Sequence, residues 1–265
     1  MVANHFLESR AADGYDTFRP YFHPLVFGRL SELTSHRRFD RALDVACGTG
    51  QSSVAMEATV TTVVGLDASA AMLRHARRRG VACVQASAES LPYADQCVDL
   101  VAVGLAFHWF DQPAFLREAR RVLRPDGVLL TYNSWFAGIM DGSAAFPEWY
   151  REYLQHFPAP PRHAAPLAAA VVRACGFREV ASERFSHEHL FTPDAFAGYL
   201  KTQSNVTAAI ERGATTDEDV TRWLVDTLEP LFSDPRATFR YDGALTVYAG
   251  IDGSPRRPSA SVELG

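Results

Sequence analysis

The chain has 265 residues, 47% of them hydrophobic and 22% charged, which suits one large α/β domain or one domain with an elaboration, because a single core stops growing near roughly 250–300 residues. A net charge of −5 and a pI of about 6.0 exclude a general attraction to nucleic acid or anionic lipid. Cys47, Cys83, Cys97 and Cys175 lack the paired spacing of a zinc site or a secreted disulfide framework, and no leader or membrane-length apolar run is present, so reduced thiols and a cytoplasmic address are expected.

From residue 39 the sequence alternates strand and helix patterns, the signature of a parallel sheet with helices on both faces. RALDVA predicts a buried strand, followed by a glycine turn and a short helix from Gln51. TTVVGLD, rich in β-branched residues, predicts a second strand ending at Asp67. Ser69 is placed to cap the helix AAMLRHARRR, and Gly80 to stop it as a C′ glycine. ACVQA and VDLVAVGLAF predict the third and fourth strands. The next helix gathers Phe115, Leu116, Ala119, Val122 and Leu123 on one face, with Asp111 as its cap, Pro113 in its first turn and RPDG at its end. VLLTYN is a fifth strand.

After Trp135 the pattern changes. FPAPPRHAAP is a proline-rich break; beyond it come a helix ending at Gly176, a strand EVASERFSHEHLF, helical patterns near 193–212 and 216–232, and a last strand TFRYDGALTVYAGI. These read as an elaboration joined to the same sheet. DGSPRRPSASVELG, which has no periodicity, reads as a disordered tail.

Within ALDVACGTGQSSVA, Gly48 and Gly50 let backbone approach a ligand closely, because glycine has no side chain to hold it away. A nucleotide phosphate, a dinucleotide and a phosphate-free adenosine compound are the candidates. A phosphate-gripping loop needs a lysine after its second glycine, and QSSVA supplies none. A dinucleotide fingerprint wants a third glycine where this chain has Ser53, which weakens NAD without excluding it. Asp67, about twenty residues beyond the glycine turn, suits both hydroxyls of a ribose. Asp44 would repel a pyrophosphate but could hold an ammonium group, directly or through water. A ribose, a free amino group and no phosphate describe S-adenosylmethionine.

LDVACGTG, VVGLDASAAML, QASAESLPYADQCVDLVAVGLAFHWFD and FLREARRVLRPDGVLLTYN, in that order, resemble the consecutive motifs of class I S-adenosylmethionine-dependent methyltransferases. The match is to the small-molecule branch called methyltransferase type 11, with the relatives of trans-aconitate methyltransferase, and covers residues 15–135. The resemblance implies an α/β fold: a Rossmann-like, seven-stranded, mostly parallel sheet with an N-terminal lid and a helical elaboration after strand 5. It implies a lid over 1–38, a cofactor-binding core over 39–135, a substrate-pocket elaboration over 136–251, and the tail over 252–265. It further implies S-adenosylmethionine as cofactor, with Asp44 near the amino group, Gly48 and Gly50 at the methionine moiety, and Asp67 on the ribose. Ala68 and Met72 would lie on the adenine face, Ala88 and Glu89 at its edge, and Leu105 and Ala106 beside the methionine chain. Tyr15 and Arg19 are the expected lid contacts, Arg19 suiting the cofactor carboxylate by charge and fork geometry. Two positions depart from the family: Ala46 replaces a common first glycine, and Ser87 a common aspartate, which weakens hydrogen bonding to adenine there.

For the acceptor side, His108 and Trp109 follow the fourth strand and are expected to face the transferred methyl. His108 is the candidate proton acceptor; the competing reading is a packed histidine beside an aromatic wall. Tyr132 and Asn133 are candidate polar positioners, and Tyr21, Trp135, Tyr199, Ser204 and Asn205 candidate acceptor contacts. Phe136, Trp149 and Tyr150 would add an aromatic lining that favours a sulfonium. His187 and His189 share a strand face without an evident third ligand, so no metal is expected. RHARRR at 74–79 reads as a solvated helix end rather than a nucleic-acid patch. The whole points to a monomer or homodimer acting on a small apolar or aromatic molecule, a carboxylate or a natural-product intermediate among them. Use of the same cofactor for non-methyl chemistry that releases methylthioadenosine, and cofactor binding without catalysis, stay open.

Overall fold

The computed structural model describes residues 9–159 and 167–251, with side chains described from Asp13 onward. The expected tail over 252–265 and most of the proline-rich break lie outside the described residues. In chain order the elements are α1 (Ser9–Phe18), α2 (His23–Leu33), β1 (Phe39–Val45), α3 (Gln51–Met56), β2 (Val60–Asp67), α4 (Ala70–Arg78), β3 (Cys83–Gln85), β4 (Val98–Gly104), α5 (Gln112–Val122) and β5 (Leu123–Met140). Then follow α6 (Phe146–His156), α7 (Ala169–Ala174), β6 (Phe177–Phe191), α8 (Pro193–Lys201), α9 (Ser204–Glu211), α10 (Asp217–Leu228) and β7 (Ala237–Gly250).

The strands form one seven-stranded sheet in the order β3-β2-β1-β4-β5-β7-β6. β1 pairs in parallel with β2 and with β4, β2 with β3, and β4 with β5. Strand sequence follows position: β4, inside the sheet, is apolar but for Asp99 and buried at every residue before Gly104, whereas the edge strand β6 alternates half-buried and exposed side chains along most of its length. Because β1 and β4 are neighbours although β2 and β3 lie between them in sequence, the chain reverses its winding there. In open α/β sheets such a switch point is where ligands bind, outside the carboxyl ends of the strands.

Packing divides the chain into two compact units interleaved along the sequence. The larger runs through residues 22–133, 167–183 and 245–251. Its core sets Phe115, Leu116, Ala119 and Val122 of α5, all fully buried, against Leu43, Val45, Val101, Val103 and Leu129. Burying each of these large side chains stabilises the fold by about 1.5–3 kcal/mol. The smaller unit runs through residues 9–21, 134–159 and 184–244, and its core is mostly aromatic. There Phe146, Phe196 and Phe239 pack with Trp149 and Tyr153, the Phe196 and Phe239 rings stacking at 3.9 Å.

The predicted caps hold. Ser69 accepts from the Met72 amide, Asp111 from Ala114, and Gly80 takes φ +83 just after α4. In two places the structure departs from the sequence reading. RPDG ends α5 but also belongs to the fifth strand, which begins before VLLTYN: Pro125 disfavours helix at Arg124, and Leu123 already pairs with Val98, so the chain enters β5 directly through an irregular step. The helical pattern 193–212 divides at Gln203, whose extended backbone opens α9, while the Thr202 hydroxyl bonds back to the Tyr199 carbonyl at 2.7 Å.

Candidate active site

The carboxyl ends of β1, β2 and β4 carry the predicted cofactor residues of the larger unit. β1 delivers Asp44, only 1% exposed, and the chain then turns through Ala46 at φ +57, Gly48 at φ +55 and Gly50 at φ +83. Left-handed backbone at a non-glycine residue costs on the order of 1–3 kcal/mol, a strain that clusters at ligand sites. Leu105, at the end of β4, shows the same conformation with φ +61. The two glycines do different things. A Cβ at Gly50 would press at 3.1 Å on Ala76 and Val81, so that glycine lets α4 pack closely. A Cβ at Gly48 would meet only the Met72 sulfur, at 4.0 Å, so its exposed backbone face is the one open to a ligand.

Asp67 ties the loops together: its carboxylate accepts from the Gly48 amide at 2.9 Å and the Ser69 amide at 2.8 Å. Burial raises its pKa, and those backbone N–H groups oppose the rise. Asp44 is held differently. One oxygen accepts from both Ser52 and Ser53 hydroxyls at 2.6 Å, while Oδ1 is buried with no partner among the described residues. Burial pushes its pKa up to about 6, against the two hydroxyls, with the charge of Asp67 adding to the rise. A buried carboxylate oxygen lacking a donor is costly, and an ammonium group is the partner that would relieve it. The nearby Thr49 hydroxyl is also buried and unpartnered. This donor and acceptor set fits an aminoacyl nucleoside and offers nothing to a pyrophosphate.

The remaining residues of that rim are placed as follows. Met72 is buried, and the Ala68 carbonyl accepts from the Gln85 amide nitrogen at 2.9 Å. Glu89 accepts from the Ser87 hydroxyl and from the Asp111 amide, linking the end of β3 to the cap of α5. Ala88 belongs to the core of the larger unit, and Ala106 packs against that core. His108 and Trp109 sit in a 3-10 turn over Phe107–Trp109, their rings 4.7 Å apart and both half-buried. Tyr132 is buried, its hydroxyl 2.8 Å from His23 Nδ1, and its ring lies where a Cβ on Gly104 would collide. Asn133 is exposed.

Tyr15, Arg19, Tyr21, Trp135, Tyr199, Ser204 and Asn205 all fall in the smaller unit. Tyr21 and Trp135 are exposed, while Tyr199 and Ser204 are buried. Asn205 is committed to the fold: its amide nitrogen donates to the Phe157 carbonyl at 2.9 Å and its carbonyl oxygen accepts from the Tyr153 hydroxyl at 3.3 Å. His187 lies 2.9 Å from the Ser134 hydroxyl and stacks on Tyr241, and burial pushes its pKa down to about 4.

Sequence reasoning missed His23, which carries no motif and reaches Tyr132 only through the fold. It noted Ser53 solely as an absent glycine, yet Ser52 and Ser53 are the hydroxyls that hold Asp44. Their place on the first turn of a helix right after the glycine bend was the available signal.

In sequence and fold the chain is similar to known methyltransferases. Residues 43–131 match the family model of a methyltransferase domain. An uncharacterised methyltransferase of Schizosaccharomyces pombe is 30% identical over 176 residues, covering 65% of this chain and 68% of that protein. A malonyl-[acyl-carrier protein] O-methyltransferase of Pectobacterium atrosepticum is 36% identical over 137 residues, covering 51% of this chain and 52% of that protein. The chain thus spans about half the length of that second relative. Among solved structures, a provisionally assigned type II methyltransferase from Anaeromyxobacter dehalogenans superposes with a TM-score of 0.68 at 27% identity, over 89% of this chain and all of that one.

Proposed function

Because the chain belongs to the class I S-adenosylmethionine-dependent methyltransferases, we propose that it methylates a small-molecule acceptor at an oxygen, nitrogen or carboxylate. The observation that carries this reading is the unpartnered Asp44 Oδ1 beside the open backbone of Gly48, one loop from Asp67. We assign the amino group of the cofactor to Asp44, its methionine chain to Gly48, Leu105 and Ala106, its ribose to Asp67, and its adenine to Ala68, Met72, Ala88 and Glu89. Ser87, bound to Glu89, orients that carboxylate.

The bound cofactor supplies a methyl group on a positively charged sulfur, open to in-line displacement. The protein's part is alignment and exclusion of water, and alignment alone can contribute several kcal/mol. Where the acceptor is a hydroxyl, His108 is assigned the proton; where it is already anionic, no base is needed. Tyr132, oriented by His23, and Asn133 position the acceptor. Acceptor recognition falls to the smaller unit, through Trp135, Tyr199 and Ser204 with Tyr21; Tyr15 and Arg19, expected from the sequence at the cofactor, are reassigned here to the acceptor because Arg19 packs on Tyr199 and holds the Thr202 carbonyl. The malonyl-[acyl-carrier protein] relative supports an acyl or carboxylate acceptor.

Incubation with labelled S-adenosylmethionine and a pool of small acceptors tests the reading. S-adenosylhomocysteine should accumulate in proportion to methylated product. Methylthioadenosine, or no turnover despite tight cofactor binding, would overturn it.

A further inference from the structure

We propose that the smaller unit carries a recognition site for one carboxylate of the acceptor, formed by Arg19, Gln203 and Tyr241. The proposal rests on the reading above that this unit recognises the acceptor, and gives that acceptor a chemical class.

Arg19 is the starting point. Its guanidinium donates to the Thr202 carbonyl at 2.8 Å and lies over the Tyr15 ring at 4.8 Å and the Tyr199 ring at 5.5 Å. Among the described residues no carboxylate pairs with it, and its Nε is buried without a hydrogen-bond partner. Arg19 is half-buried, and one carbonyl with two ring faces leaves its buried Nε–H without an acceptor, a deficit that folded proteins rarely carry.

Two more buried groups share this deficit in the same neighbourhood. Gln203, next in sequence to the carbonyl that Arg19 holds, has its amide nitrogen buried and unpartnered. Tyr241 is 2% exposed and its hydroxyl has no aligned partner. Tyr199 joins them: its ring meets Tyr241 edge-on at 5.6 Å, its hydroxyl feels the charge of Arg19, and the Gln203 amide and Tyr241 hydroxyl approach it without an aligned hydrogen bond. Burial raises the pKa of Tyr199 and Tyr241, so both phenols stay neutral.

The inventory fixes the ligand chemistry. Arginine Nε and the glutamine amide nitrogen can only donate, and a phenol donates readily. What completes this cluster is therefore an acceptor, and the single positive charge makes it a monoanion. His187, stacked on Tyr241 and held neutral, adds no second cation that a phosphate dianion would want. A carboxylate meets these demands, and its planar fork matches arginine.

A carboxylate could also come from the cofactor, so the test has two arms. Benzoate, trans-cinnamate and hexanoate, each beside its primary amide, are titrated by ligand-observed NMR into protein loaded with S-adenosylhomocysteine. At least one acid should bind about tenfold or more tightly than its amide, and Gln203→Leu and Tyr241→Phe should each weaken that acid about tenfold. Both variants should keep cofactor affinity within about twofold and lose little in melting temperature, since each gives up only an unaligned approach to the Tyr199 hydroxyl. In the second arm, S-adenosylmethionine is compared with its decarboxylated analogue. Equal affinities for the two, in wild type and in Arg19→Gln, assign Arg19 to the acceptor. Acids that bind no better than amides, or a preference for S-adenosylmethionine that Arg19→Gln erases while acid binding survives, would overturn the proposal. Intact acid binding in a protein that does not bind S-adenosylmethionine would keep the anion site and remove the functional reading.

Discussion

Among the described residues, the charged group left without a partner in the larger unit is an acceptor, Asp44 Oδ1, whereas in the smaller unit the buried atoms without an aligned partner include the donors Arg19 Nε, Gln203 Nε2 and Trp149 Nε1 with the Tyr241 hydroxyl. The supporting structure differs in the same way. Asp44 and Asp67 are fixed by residues within about twenty positions of them, through Ser52, Ser53, Gly48 and Ser69. Arg19 is fixed by Thr202 and Tyr199, far away in sequence. A polar deficit can thus be written into a local motif or assembled by the fold, and complementary deficits suit the two charged ends of different ligands.

The comparison can be broken most severely at Asp67. Asp67→Ala removes the tether on Gly48 together with the carboxylate proposed to hold the ribose, and should weaken S-adenosylmethionine about 100-fold or more in calorimetry. Retention of wild-type affinity would remove Asp67 from the site. Gly50→Ala sharpens the division of labour between the glycines. It adds a left-handed penalty to pressure on Ala76 and Val81, for about 3 kcal/mol of lost stability in denaturant unfolding. Gly48→Ala has space around it and should cost only about 1 kcal/mol in stability while impairing cofactor binding.

Asp44 gives a pH signature. Its folded pKa of about 6 lies above the ordinary aspartate value of 3.8, so the folded state favours its proton. The stabilisation, on the order of 3 kcal/mol, is present below about pH 4 and is lost as pH rises through about 6. Holding an ammonium group requires the carboxylate, so S-adenosylmethionine affinity should fall as pH drops below about 6. Asp44→Asn should lower affinity about tenfold at neutral pH and flatten both profiles. Persistence of the wild-type slope would contradict the assignment. The smallest effect is expected at Tyr132→Phe, which takes the hydrogen bond from His23: about 1 kcal/mol of stability, with turnover falling more than cofactor affinity.

Much of the larger unit was legible because its signals are short-range. The cap at Ser69, the stop at Gly80, the apolar face of α5 and the order of the first five strands follow from spacing within one element or its neighbour. The glycine bend marked the candidate site, but its second member turned out to face α4, a contact set by three-dimensional packing. His23, Gln203 and Tyr241 were invisible for the same reason: each gains its meaning from a residue remote in sequence. The aromatic stretch FPEWY announced a core in the smaller unit without saying which polar atoms that core would strand.

A crystal soaked with S-adenosylhomocysteine tests the central claim most directly. The amino nitrogen should lie within hydrogen-bond distance of Asp44 Oδ1, directly or through one water, with both ribose hydroxyls on Asp67 and the chain between them over Gly48. A nucleoside bound elsewhere, or one whose amino group points away from Asp44 and leaves Oδ1 without a donor, would contradict it.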